Sequence, residues 1–232
     1  MRRQLKLTAV FLAIAPLTAT GLAFASSQFT QTSNITLTAT KAGKPTGFKA
    51  GLLSSDPGAV QPQGLKTLTI TFPAATKFNF KSHAIAVCKA SDIELVATLG
   101  SACSAKSQIG SGTAVANAAP VIPIIPEKVK AYAGKSQIIF LLTPATAGAG
   151  QVLVLHGKVV ANKITTAVPV LNTSGLNVVI TALNLAVKTI GHGSNAFVTA
   201  GKCTGGKFTV KSAFVYQTAA TMKLTSSSKC SK

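Results

Sequence analysis

Apolar and polar residues alternate in short runs along most of the chain, with turn residues such as Gly, Pro, Asn and Ser between the runs. Alternation with a period of two marks a strand with one buried face, and the abundance of Thr, Val and Ile agrees with it. The pattern predicts strands over Asn34–Thr40, Gly47–Leu53, Thr67–Phe72, Ser111–Ala116, Gln137–Leu142, Val152–Val160, Leu176–Thr181, Ala196–Thr199, Lys207–Gln217 and Thr221–Thr225. Helical periodicity is scarce. Lys41-Ala-Gly-Lys-Pro-Thr-Gly47 joins the first two strands as a hairpin or a sheet-switching corner. Gly205-Gly206 permits the positive φ of a tight turn, which predicts Val198–Ala200 and Phe208–Val215 as antiparallel partners.

Two segments depart from the pattern. Ser91-Asp-Ile-Glu94 is a capping box ahead of Leu95, Val96 and Leu99, so a short helix should start there and end at Gly100. Its acids sit where the helix dipole favours negative charge, which gives Asp92 and Glu94 a structural role. The second segment, Ala118-Ala-Pro-Val-Ile-Pro-Ile-Ile-Pro126, has Pro at every third position and should be extended without regular ladder donation. It reads as a linker or as an edge segment crossing between sheets, and Val121, Ile122, Ile124 and Ile125 predict that it packs against something.

The N-terminus changes the setting of all this. Arg2, Arg3 and Lys6 precede the apolar stretch Leu7–Leu17, and Ala23-Phe24-Ala25 then supplies small residues at the −3 and −1 positions of a signal-peptidase site. Residues 1–25 are read as a cleaved secretory signal peptide, because this eleven-residue stretch, interrupted only by Thr8, falls short of the ~20 that span a bilayer. Ser26, not Cys, follows the site, so no lipid anchor is indicated, and no later run is long enough to span. The protein is expected to be secreted or extracytoplasmic, at the cell envelope.

In an exported chain an even number of cysteines favours disulfides. Of the three connectivities open to Cys88, Cys103, Cys203 and Cys230, we favour Cys88–Cys103 with Cys203–Cys230, since each pair closes a local loop. A loop of about 15 residues contributes about 3 kcal/mol on the chain-entropy model. No C-x-x-C or Cys-His spacing suits zinc. The fold class is then all-β: an antiparallel sandwich, immunoglobulin-like or jelly-roll-like, of about ten strands with one short helix inside the first disulfide loop. Residues 26–232 form the sandwich, as one domain or as two tightly packed sub-domains meeting near 118–127.

Charge narrows the partners. Once Arg2, Arg3 and Lys6 are removed, twenty Lys and no Arg remain against Asp56, Asp92, Glu94 and Glu127, a formal charge of +16. Without Arg for bidentate base contacts, with no Trp and only two Tyr, sequence-specific nucleic-acid binding is not expected. The lysines are spread out, densest at Lys128/Lys130/Lys135 and Lys202/Lys207/Lys211. They keep exposed strands soluble and blunt sheet edges, or they attract anionic envelope polymers or lipids.

Chemistry is thin. Asp56 in Ser-Ser-Asp-Pro-Gly is a turn residue, and no nucleophile elbow, zinc helix, phosphate loop or dinucleotide motif occurs. His83 reads as a loop residue, His156 as a strand position, and His192, beside Ser194 and Asn195, as a Gly-flanked turn. No cofactor, metal or catalytic residue is assigned, and the protein is not expected to be an enzyme.

Lys44-Pro-Thr-Gly47, Asp56-Pro57, Leu65-Lys-Thr-Leu-Thr-Ile-Thr-Phe-Pro73, Thr76-Lys-Phe-Asn79, Cys88-Lys-Ala-Ser91, Ala102-Cys103 and Ile109-Gly-Ser-Gly-Thr-Ala114 together resemble a group of uncharacterised exported proteins of actinobacteria. The resemblance spans much of the N-terminal half. It implies an exported β-rich protein with a disulfide near the first Cys pair, and it brings no activity to transfer.

The leading expectation is a non-catalytic structural, adhesive or binding module, whose partner is an envelope component or another surface protein. The alternatives are polyanion binding through the Lys-rich surface and a hydrolase with an unrecognised site, for which His192, Ser194 and one acid are the candidates. Mass spectrometry of the secreted protein should give the mass of Ser26–Lys232 less four hydrogens, and reduction with alkylation should add four labels. Free thiols or a retained leader would contradict the export reading.

Overall fold

A computed structural model of the chain describes residues 29–59, 61–146, 150–173 and 176–231. The expected signal peptide, residues 1–25, and its cleavage site lie outside the described residues. The elements in chain order are β1 (Thr30–Leu37), β2 (Phe48–Ser55), β3 (Leu65–Thr71), β4 (Lys77–Phe78), α1 (Asp92–Thr98), β5 (Gln108–Ala118), β6 (Ile122–Gly134), β7 (Gln137–Pro144), β8 (Leu153–Val160), β9 (Lys163–Ala167), β10 (Leu171–Thr173), β11 (Leu176–Val187), β12 (Val198–Thr199), β13 (Lys207–Tyr216) and β14 (Thr221–Lys229).

The mostly β, antiparallel character holds, but all strands except the separate β4–β12 pair join into one continuous sheet where a two-sheet sandwich was expected. Its order is β1-β2-β11-β5-β6-β7-β8-β9-β3-β13-β14, with β10 added on β11. The sheet curls until β1 lies against β14, so it is nearly a barrel. Bending on this scale needs close backbone approach. At Gly112 on β5 a Cβ would fall on the Asn184 carbonyl of β11, and at Gly110 on that of Ala186. Only glycine fits there.

Side chains close the seam between β1 and β14. Ser226 Oγ accepts from the Ile35 N–H at 3.0 Å and donates to the Ser33 carbonyl at 2.9 Å. The Ser33 and Ser212 hydroxyls lie 2.8 Å apart. Nearer the strand ends, Tyr216 Oη donates to Gln31 Oε1 at 3.1 Å, and Gln31 Nε2 donates to the Thr32 and Leu53 carbonyls. Gln31, Ser212 and Ser226 are buried, so these bonds replace lost hydration.

Alternation sets inside and outside. On β13, Phe208, Val210, Ser212, Phe214 and Tyr216 are buried while Lys207, Thr209 and Lys211 are exposed. On β7 both faces are covered. Ile138, Phe140 and Leu142 turn to the barrel core, and Ile139 and Leu141 pack under α1 with Leu95, Tyr132, Cys88 and Cys103. That outer cap begins at the Ser91 and Glu94 capping box and is tied by the Cys88–Cys103 disulfide. The second disulfide joins Cys203 to Cys230.

Two expectations are corrected. Val198–Ala200 does not pair with Phe208–Val215, since β12 pairs with β4 while β13 pairs with β3 and β14. The turn at Gly205 and Gly206 is present, but it closes on its own through Thr204 and Lys207. The Pro-rich stretch is not a linker but runs as an edge within the sheet, since pairing with β7 begins only at Glu127. It opens β6 and pairs along β5, with Ile125 opposite Ala116. Ala118 and Ile125 are buried, while Val121, Ile122 and Ile124 are 64, 42 and 68% exposed, because this hairpin outruns the sheet beside it.

Replacing Ser226 by Ala leaves the buried Ile35 N–H without its acceptor, and should cost about 1–3 kcal/mol in urea unfolding. Ser227→Ala, one exposed position along, should stay within about 0.5 kcal/mol.

Candidate functional site

The inward faces of the curled sheet enclose a cavity of ≈ 80 Å³. Packed interiors leave few voids larger than a water molecule, so a space of this size in an apolar interior is notable. Its lining includes Phe48, the Phe214 and Leu68 pair, and Leu65, Val168 and Ile180. Aromatic rings pack behind Phe48: its ring lies tilted against Phe72 at 5.0 Å, and Phe72 meets Phe78 edge-on at 5.4 Å. Leu65, Val168, Ile180 and Thr181 are only half-buried, which places the mouth beside them. Leu142, Leu155 and Leu183 form its walls, and the polar groups at its edge, Gln31 and Ser54, bond to each other.

One acid faces inward. Along β6, Ile125, Glu127, Val129 and Ala131 are the inward positions and all are buried, with Val129 on the cavity wall. Glu127 is therefore one inward step nearer the mouth than Val129, under the Gly150 backbone. Among the described residues its Oε2 has no hydrogen-bond partner. Burial pushes its carboxyl up to about 7. Burial also raises the Tyr216 phenol to about 12 and shifts Tyr132 upward. On the surface, the Ser91 backbone and side-chain hydrogen bonds hold Glu94 below the ordinary range.

The structure scatters the residues weighed for catalysis. His192 precedes the short turn Gly193–Asn195, and among the described residues no acid bonds to it. Asp56 begins a turn closed by the Ala59 N–H on its carbonyl. His83 is exposed in a loop. The histidine that meets an acid is His156, whose Nε2 lies 3.0 Å from both carboxylate oxygens of Asp92. That contact ties α1 to the outside of β8. No sequence signal announces it, because the partners are 64 residues apart. Among the described residues no three His, Cys, Asp or Glu gather to hold a metal ion, and no helix is long and apolar enough to cross a membrane.

No family model matches the chain, and neither a curated protein nor a solved structure matches it.

The raised Glu127 carboxyl sets the sign of a pH effect. With a folded value of about 7 against an ordinary 4.5, the fold prefers the protonated form. Stability is greatest below the ordinary value, falls as pH rises from there to about 7, and then levels off. Glu127→Gln keeps the shape without the charge. Thermal unfolding should show the variant more stable than the wild type at pH 8, with the gap closing toward pH 4.

Proposed function

We propose that the protein is an exported, non-catalytic binding protein that holds a small apolar ligand inside its barrel. The observation that carries the reading is the apolar cavity, backed by the packed rings of Phe48 and Phe72 and lined also by half-buried Leu65, Val168 and Ile180. An apolar pocket with a few polar groups at its edge and a perturbed acid beside it is the usual form of a small-molecule site. The two disulfides fit an oxidising, extracytoplasmic compartment, where such a carrier would work.

Volume sets the ligand class. A dry space of this size accepts a slim aliphatic chain or a single ring, not a bulky polycycle. Glu127 near the mouth, protonated below about pH 7, can donate to an oxygen of such a ligand, and once ionised favours an amine.

Titration with cis-parinaric acid, a slim polyene chain whose emission rises in apolar surroundings, should show saturable binding. Ala50 lies on the cavity wall. Ala50→Leu should fill the space, weakening the probe about tenfold or more while keeping the unfolding temperature, since it adds apolar contact to a void. Unchanged probe binding in a folded Ala50→Leu protein would remove the cavity as the site.

A further inference from the structure

Lys202, Lys207 and Lys211 line one concave groove of ≈ 280 Å³ on the outside of the barrel, with Thr71, Asn162 and Thr209. Lys207 and Lys211 are outward positions of β13, about 13 Å apart at roughly 3.3 Å per residue. The strand register spreads the charge sideways. Lys211 stands opposite Thr71 on β3, which stands opposite Lys163 on β9, and Lys207 directly faces Lys229 on β14. All five lysines are exposed.

Like charges facing each other across a ladder destabilise it. None of the four acids of the mature chain lies on β3, β9, β13 or β14 to offset the repulsion. The fold nevertheless fixes these groups in place. The Cys203–Cys230 disulfide, Cα to Cα 5.9 Å, links the neighbours of Lys202 and Lys229. The Lys202 N–H donates to the Ala74 carbonyl at 2.7 Å. A Cβ at Gly201 would fall on the carbonyl oxygens of Pro73 and Ala74, so this loop sits directly against the wall of the groove. Positive charge concentrated in a concavity raises the local concentration of anions.

We propose that this groove binds a linear polyanion carrying repeated phosphate or sulfate groups. The ammonium groups act as separate point charges for successive oxyanions, and the Thr71 and Thr209 hydroxyls supply neutral donors between them. The site is on the outer face and does not depend on a ligand in the cavity.

The full mature protein is titrated with polyphosphate and with heparin, the phosphate and sulfate probes, and with dextran as the uncharged control, across a range of salt. Binding to at least one polyanion is expected, with log affinity falling linearly with log salt. Lys202→Gln/Lys207→Gln/Lys211→Gln should weaken it at least about tenfold and reduce the salt slope by about 2, at about 0.7 per contact. Lys49→Gln/Lys106→Gln/Lys188→Gln removes the same charge from exposed sites elsewhere and should change affinity less than about threefold. The comparison is made where circular dichroism shows both variants folded. The groove variant should unfold no earlier than the wild type, because the repulsion between Lys207 and Lys229 is gone. The preferred probe identifies the oxyanion. Equal losses in the two triple variants, or the absence of salt-dependent binding, would overturn the proposal.

Discussion

The interior of this protein depends on how the two edges of its sheet meet. An eleven-strand sheet left open would carry two long unpaired edges. Here β1 and β14 come together through hydroxyls: Ser226 bonds the backbone of Ile35 and Ser33, Ser33 meets Ser212, and Tyr216 reaches Gln31. These groups lie in otherwise apolar surroundings, where an unmet donor or acceptor is costly, so they accept few alternative partners. The seam therefore selects which edges join, and the enclosed volume follows from it. Strands from distant parts of the chain share the wall, with β11 between β2 and β5, and β3 between β9 and β13.

The closed sheet separates two chemical environments. Inside, large apolar residues leave a gap along the axis, and Glu127 is the acid among them. Outside, lysines occupy the polar positions of the same strands. On β13 the two environments are one residue apart, with Phe208 and Val210 facing in and Lys207 and Lys211 facing out. A pleated wall of this kind can present an apolar pocket and a cationic groove without either disturbing the other. That independence is why the proposed ligands of the two sites differ in chemistry.

Local patterns carried a large part of the fold. Alternation located most long strands, though the sheet extends several beyond the apolar stretch, as where Leu176–Thr181 becomes Leu176–Val187. Ser91 and Glu94 make the capping bonds that their spacing suggests. What was hidden depended on partners. The Pro-rich start of β6 looked unfit for a ladder, yet Pro126 sits opposite Val115, and its carbonyl accepts from the Ala145 N–H. The short strands β4, β9 and β10 have too few residues to show a period. Of the site, the Lys202/Lys207/Lys211 cluster stood out in the sequence, while the cavity did not, because a void belongs to no residue.

By itself the sequence determined the class and the material: short antiparallel strands, a capped helix, four cysteines and an excess of lysine, all set by local propensity, period and charge. Only the tertiary structure decided that the long strands form one curled sheet, that Ser226 closes it, that Glu127 faces inward, and that Lys202 in its loop joins four lysines on β9, β13 and β14. Strand pairing joins residues far apart in the chain, and a period of two states which face is buried without stating against what.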